Sequence, residues 1–304
     1  MTISGRRALT IGFAVAGGVA AIVLVLIPRS SSPHHSPVYR YITSVDAAEA
    51  RMTYSLSKVQ AAYQAVTVRH SMSPATAKAF AAAVPILRTV EMRIARIPAP
   101  PQASQLRTLV LRLVRQEIAA TREIGSFVRF LPSFDAVLRA LGTAAKRLGH
   151  DLAAAKAPTP QKLHGTAAQI EQAQAAFAAA ATKAALAQAD AVAAYDTAVA
   201  KARARLRALS PPSVMEPAYR YQLEALVRTS AAGARLAAGL RAPTRTSIPA
   251  LSRAFAAASR TSQTVAAQRA EVAAVKAYNA RLRAVGTTAV DIRREITKLQ
   301  AHEH

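Results

Sequence analysis

Alanine occupies 74 of the 304 positions, and this bias favours helix over every other regular structure. An alanine side chain loses no rotamer entropy in a helix, so alanine has the highest helix propensity. Only 11 glycines and 16 prolines interrupt the sequence, and these residues are expected to mark helix ends. We therefore predict an all-α fold. Because tryptophan is absent and alanine buries little area, we expect long, thin bundles.

The first apolar segment predicts a transmembrane helix. Residues 8–27 are uncharged and apolar, with Arg6 and Arg7 before them and Pro28 and Arg29 after them. Twenty helical residues rise about 30 Å, which matches the hydrocarbon core of a bilayer. The alternative, a cleaved signal peptide, has a shorter apolar region followed by a small-x-small cleavage site. The residues after position 27 lack that site, which favours an uncleaved signal-anchor.

The flanking charges predict the orientation of this single-pass anchor. Short segments rich in Lys and Arg tend to remain cytoplasmic, so residues 1–7 are predicted to form a cytoplasmic tail. The C-terminal domain is then extracytoplasmic and held at the cell membrane. Gly12 with Ala16, and Gly17 with Ala21, are small-xxx-small pairs through which two anchors could pack as a homodimer.

After the anchor, residues 28–43 are predicted to form a Pro/Ser-rich spacer, since three prolines and four serines fall within 28–37. The rest divides into two predicted units, residues 44–157 and 158–304. The division rests on an internal repeat with an offset of about 112 residues, whose members recur every three or four positions as on one helix face. The first pair of matching series is Phe80, Ala83, Leu87, Val90, Ile94 and Ile97 against Val192, Tyr195, Val199, Ala202, Leu206 and Leu209.

Two more helices repeat in the same order. Leu106 to Phe127 matches Tyr219 to Leu240 as a heptad-like, coiled-coil seam, and Ser133 to Leu141 matches Ser247 to Phe255. Proline-containing breaks are predicted between the helices, including one at Leu131–Ser133. Because short links make neighbouring helices antiparallel, we predict two repeated, elongated antiparallel three-helix bundles. In the second, an apolar face is expected to run from Val272 to Leu299.

One polar position interrupts the seam of the second repeated helix. Glu117 lies there in the first copy, and its counterpart in the second copy is Ser230. A buried carboxylate needs a partner or becomes protonated, so these residues are a candidate site for a ligand or proton between helices. The alternatives are an interhelical salt bridge or a seam rotated toward solvent, with the polar residue setting the register.

Charge is the second strong bias, because 40 Lys and Arg against 16 Asp and Glu give a net charge of +24. Such a surface attracts anionic partners. The densest basic runs lie on two helices and are expected to form cationic stripes that hold phosphates of lipid headgroups or anionic wall polymers. The candidate anion-binding residues are Lys201, Arg203, Arg205, Arg207, Arg281, Arg283, Arg293 and Arg294.

Several function classes lack the residues that they need. Without cysteine there is no thiolate metal site, and the seven histidines do not form the helical ligand pairs of di-iron bundles, so no metal or cofactor is expected. No phosphate-binding glycine loop, nucleophile elbow or paired carboxylates occur, so an enzyme is not expected. Scarce aromatic residues and the lack of a reading motif argue against sequence-specific nucleic-acid binding.

These observations predict a membrane-anchored, basic, helical protein with an interaction or structural role in the cell envelope. Its expected partners are the membrane, anionic polymers or headgroups, and another protein. One alternative is a nucleic-acid-binding protein tethered to the membrane with a cytoplasmic domain. Another is an extracytoplasmic sensor-like helical bundle.

Overall fold

The computed structural model describes residues 36–51, 53–67, 72–159, 164–242, 248–260 and 265–301. All regular secondary structure among the described residues is helical, without a strand, which confirms the predicted all-α class. Two single 3₁₀ turns, Pro101–Ala103 and Ser213–Met215, connect longer elements. The eight α-helices of this part of the chain are α1 (Pro37–Ala50), α2 (Thr53–Thr67), α3 (Pro74–Ala95), α4 (Ser104–Ala154), α5 (Ala167–Arg207), α6 (Glu216–Arg241), α7 (Ile248–Ser259) and α8 (Val265–Ala301).

The predicted transmembrane helix, residues 8–27, lies outside the described residues, as do residues 28–35 of the predicted spacer. Among the described helices, none combines the length and the apolar character that a bilayer span requires. The anchor therefore stays a prediction from sequence.

Helix α1 begins inside the segment that was predicted to be spacer. The backbone N–H of Tyr39 donates to the side chain of Ser36 at 2.9 Å, and Pro37 occupies the first helical position. Serine before proline is a favoured N-terminal cap. The same pair starts α3, where Thr76 N–H donates to the Ser73 hydroxyl at 3.1 Å. Residues 37–43 are thus helical instead of extended.

Contacts divide the described chain into two compact units. The flanking unit comprises the described residues up to 132, with 211–215 and the described residues from 272 onward; the inserted unit comprises 133–210 and 216–271. This division by contacts changes units at 132/133, and the repeat-based division at 157/158 stays a prediction. Helix α4 belongs to the flanking unit up to Pro132 and to the inserted unit from Ser133.

Each unit has its own core. In the flanking unit the α3 and α4 residues Phe80, Ile94 and Leu113 are at most 1% exposed, and Ile292 of α8 belongs to the same cluster. The core of the inserted unit is smaller. It contains Ala189, Val192, Leu236, Ala237, Leu240 and Phe255.

The turn between the first two repeated helices has the same backbone hydrogen bonds in both copies. Ala103 N–H donates to Pro100 O at 2.9 Å, and Met215 N–H donates to Pro212 O at 2.8 Å. In each copy a side chain near the start of the next helix then donates to a carbonyl at the end of the previous one. Arg107 reaches Ala95 O at 2.8 Å, and Tyr219 reaches Leu206 O at 2.7 Å. In both copies a side chain of the following helix thus binds a carbonyl at the end of the preceding helix, and Leu206 O also accepts from the backbone N–H of Leu209 at 2.8 Å.

The third repeated helix does not follow the prediction. The break expected at Leu131–Ser133 is wrong, because α4 continues through Pro132 without interruption. Buried Val128 and Phe130 hold this stretch in the core, and that burial outweighs the backbone hydrogen bond that proline removes. In the second copy, by contrast, α6 ends at Arg241 and α7 begins at Ile248. The described residues therefore do not confirm two matching three-helix bundles.

The second half of the chain has two further features. Helix α5 begins at Ala167, where Thr166 and Gln169 form a capping box. Residues 167–186 of α5 are mostly exposed, and none of them is buried. Along α8, Leu282, Val285, Ile292, Ile296 and Leu299 are buried as predicted, whereas Val272 is 54% exposed.

Candidate functional site

Glu117 lies half-buried on α4 in the flanking unit, close to a buried tyrosine of α2. The hydroxyls of Tyr63 and Thr121 are 2.7 Å apart, and Thr121 is fully buried. Burial raises the pKa of Tyr63 above its usual value, the hydrogen bond with Thr121 opposes this shift, and the charge of Glu117 adds to it. Tyr63 is therefore neutral at physiological pH.

A second tyrosine extends this polar region to α8. Tyr278 is 6% exposed, and its ring meets that of Phe127 edge-on, with centroids 5.1 Å apart. Burial raises its pKa, and Tyr63 and Glu123 raise it further. We call Tyr63, Glu117, Thr121, Glu123 and Tyr278 the tyrosine–glutamate cluster.

Glu123 connects the cluster to the protein surface. Its side chain is 12% exposed, and Oε2 accepts from Arg281 Nη1 at 3.0 Å and from Ser213 Oγ at 3.4 Å. Glu123 has a structural role, because one hydrogen bond joins α8 to α4 and the other joins the Ser213–Met215 turn to α4. Arg281, which was predicted to bind anions, instead forms an ion pair with Glu123.

The chemistry of the tyrosine–glutamate cluster is limited. Within the described part of the chain, no group of three or more His, Asp or Glu side chains could hold a metal ion. Neutral phenols beside carboxylates can donate hydrogen bonds, and polar residues of this kind in an apolar core specify how helices pair. The sequence analysis predicted Glu117 but not Tyr63 or Tyr278. The feature that could have indicated them is a tyrosine, an aromatic residue with a polar hydroxyl, at a core-facing position of a helix.

Ser230 lies half-buried on α6 in the inserted unit, so the structure does not bring it into one site with Glu117. The polar contact at its level comes from its neighbour. Thr229 is 5% exposed, and its hydroxyl is 2.9 Å from Ala225 O and 3.0 Å from Ala258 O of α7. The polar notch of the second copy is therefore a link between α6 and α7.

The basic residues near the end of α5 form what we call the α5 cluster: Lys201, Arg203, Arg205 and Arg207. Lys201, Arg205 and Arg207 are exposed, and Arg203 is half-buried. Among the side chains that the structure describes, none of the four makes an ion pair. Residues four positions apart on a helix are neighbours, so Lys201 lies beside Arg205 and Arg203 beside Arg207.

The predicted basic residues of α8 point in several directions. Arg283 and Arg293 are exposed, while Arg294 contacts Asp291 at 3.4 Å and Arg281 is tied to Glu123. A different set shares one exposed side of α8. We call Lys276, Arg283, Arg294 and Lys298 the α8 basic face; the sequence prediction missed its two lysines.

The described fold and these sites define a class only, that of all-helical proteins with exposed clusters of cations. In comparisons with known proteins, the chain matches no family model, no curated protein and no solved structure.

Proposed function

We propose that this chain is a non-enzymatic, membrane-anchored helical protein of the cell envelope, which binds anionic groups of polymers or lipids through exposed cations. The α5 cluster is the observation that carries this proposal. The four cations lie within seven residues and repel one another, and no carboxylate in the described part of the chain forms an ion pair with any of them. Lys201 and Arg205 lie on one side of α5, and Arg203 and Arg207 lie about half a turn away, so an anionic chain that contacts either pair relieves the repulsion within it and releases its own counterions.

The position of the α5 cluster on the helix supports a binding role. Cations in the last turn of a helix are stabilised by the helix dipole, which accounts for Arg205 and Arg207 without any ligand. The dipole effect falls off beyond that turn, so it does not account for Lys201 and Arg203.

Binding of inorganic polyphosphate by the full chain in neutral-lipid nanodiscs tests the cluster. Changing Lys201, Arg203, Arg205 and Arg207 to Gln is expected to weaken binding by about tenfold or more. The wild-type affinity should fall steeply with added salt because counterion release drives binding.

A matched variant controls for net charge. Changing four exposed cations of α3 and α4, namely Arg88, Arg93, Arg112 and Arg122, to Gln removes the same charge from the flanking unit. We expect this control to weaken binding much less. Equal losses in both variants would show that net charge alone attracts the polymer and would refute a defined site.

The anchor and its orientation need a separate test. A reporter fused after His304 is expected to be active only outside the cytoplasm. Reporter activity in the cytoplasm would contradict the proposed orientation and favour the alternative of a tethered nucleic-acid-binding protein.

A further inference from the structure

The α8 basic face runs along the most exposed side of its helix. Lys276, Arg283, Arg294 and Lys298 are separated by seven, eleven and four residues, which are close to two, three and one full turns. The four cations therefore point in similar directions over more than 30 Å of helix, at 1.5 Å per residue.

Two exposed valines lie on the same side of the helix. Val272 is 54% exposed and Val290 is 52% exposed, and they are eighteen residues, or five turns, apart. Val290 follows Arg283 by seven residues, so the valines and the cations share one face. The membrane interface buries apolar side chains at the headgroup boundary and attracts Lys and Arg to anionic lipids, so a face that carries both kinds of side chain can meet a membrane surface.

Acidic residues are nearly absent from this face. Between Val272 and Ala301 the acids are Asp291 and Glu295. Asp291 is half-buried beside Arg294, and Glu295 is only 7% exposed, on the core side. The exposed side of α8 is therefore complementary to a negatively charged surface.

We propose that this face of α8 docks on anionic lipid headgroups of the membrane that holds the anchor. The inference rests on the proposed anchor, because residues 28–36 span at most about 32 Å when fully extended. Helix α1 follows directly and belongs to the same compact unit as α8 from Val272 onward. The tether therefore keeps this unit close to the bilayer, where each cation near an anionic surface adds to the attraction.

The valines favour a lipid surface over a soluble polymer. A polyanion would engage the cations and leave both valines in water, whereas the headgroup region accepts cations and also buries small apolar side chains. A membrane is thus the partner that satisfies all six side chains.

The test uses the full chain reconstituted in vesicles, with a polarity-sensitive fluorophore on a single cysteine. The chain has no cysteine, so Val290→Cys gives one labelled site. Ala284→Cys is the matched control, because Ala284 is also exposed on α8 but lies about a third of a turn away. Each sample is compared in phosphatidylcholine vesicles with and without phosphatidylglycerol.

We expect the label at 290 to shift to the blue and to lose quenching by iodide only when phosphatidylglycerol is present. The label at 284 should change little. Changing Lys276, Arg283, Arg294 and Lys298 to Gln in the V290C chain should abolish the shift while vesicle flotation is retained.

Each of the following results would overturn the inference. Equal quenching at 290 in both lipids shows that the face stays in water, and protection by soluble polyphosphate in neutral vesicles assigns the face to a polymer. A chain that does not float with the vesicles refutes the anchor itself, and the inference with it. Flotation without protection at 290 refutes the inference alone.

Discussion

Gly125 sets how closely α3 and α4 approach each other. A Cβ atom at this position would lie 3.0 Å from the Cβ of Phe80, a contact that only a shift of the backbone can relieve. Both residues are buried in the core of the flanking unit. The absence of a side chain at 125 therefore allows Phe80 to pack directly against α4.

Gly125→Ala is expected to lower the free energy of unfolding by about 1–3 kcal/mol, because the overpacked contact outweighs the gain in helix propensity. Gly149→Ala on the same helix is the control, since nothing lies within 4 Å of its new Cβ. That change should raise stability by about 1 kcal/mol. Urea titrations of the two variants measure both effects, and equal shifts would contradict the close contact.

Asp46 of α1 has a carboxyl group that is partly withdrawn from water. Its Oδ1 is buried without a hydrogen-bond partner in the part of the chain that the structure describes, and burial raises its pKa to about 6. The folded state then holds its proton more tightly than the unfolded state, in which the pKa is near 4. Stability must therefore fall as the pH rises from about 4 to 6.

Asp46→Asn should remove this decrease in stability with rising pH, because asparagine does not ionise. We expect the variant to be more stable than the wild type at pH 7, by about 1 kcal/mol after allowance for the partial exposure of the side chain, and equal to it at pH 4. Urea midpoints at the two pH values provide the measurement. A variant that is less stable at pH 7 would mean that the carboxylate has a stabilising partner.

At the scale of elements, α4 contains a proline that the helix does not need. Pro132 is exposed, so its ring adds little to the core while it removes a backbone hydrogen bond. Pro132→Ala should raise stability by about 1–3 kcal/mol. Pro74→Ala should have little effect, because proline is tolerated at the first position of α3. Thermal unfolding that shows no gain for Pro132→Ala would indicate that the chain breaks there, as the sequence suggested.

The helices show which parts of the fold can be predicted from a sequence. The apolar series from Phe80 to Ile94 and from Val192 to Leu206 face the core. Their spacing of three or four residues predicts this, because it can be read from the local sequence alone. Two prolines in a row, Pro100-Pro101 and Pro211-Pro212, come after these series, and such pairs are also local signals for a turn. Pro132 misled the prediction because its effect depends on the burial of Val128 and Phe130, which sequence spacing alone does not reveal.

Less of the candidate sites than of the helices could be predicted from the sequence. The α5 cluster was predicted, because its four cations lie within seven residues of the sequence. The α8 basic face was not predicted, because its members are four to eleven residues apart and are joined only by the helix surface. Tyr63 and Tyr278 come from distant parts of the chain, and only the folded flanking unit brings them together.

At the scale of the whole molecule, the flanking unit depends on α8 for part of its core. A chain that ends at Glu271 lacks Tyr278, Leu282 and Ile292, so amides of α3 are expected to lose protection from hydrogen exchange. Amides of α5 and α6 should keep theirs, since the inserted unit is intact. Hydrogen exchange measured by mass spectrometry distinguishes the flanking and inserted units from the contiguous units 44–157 and 158–304. Loss of protection in α5 and α6 alone would favour the contiguous units predicted from sequence.

The order of the units along the chain has a consequence for biosynthesis. The ribosome delivers α1 to α3 first, yet the helix that completes their core is synthesised only after the whole inserted unit. The inserted unit can therefore close while the earlier helices still present uncovered apolar faces. Nascent segments that wait in this state are prone to aggregation and are typical clients of chaperones. The part of the polypeptide that is made first is thus the part that finishes folding last.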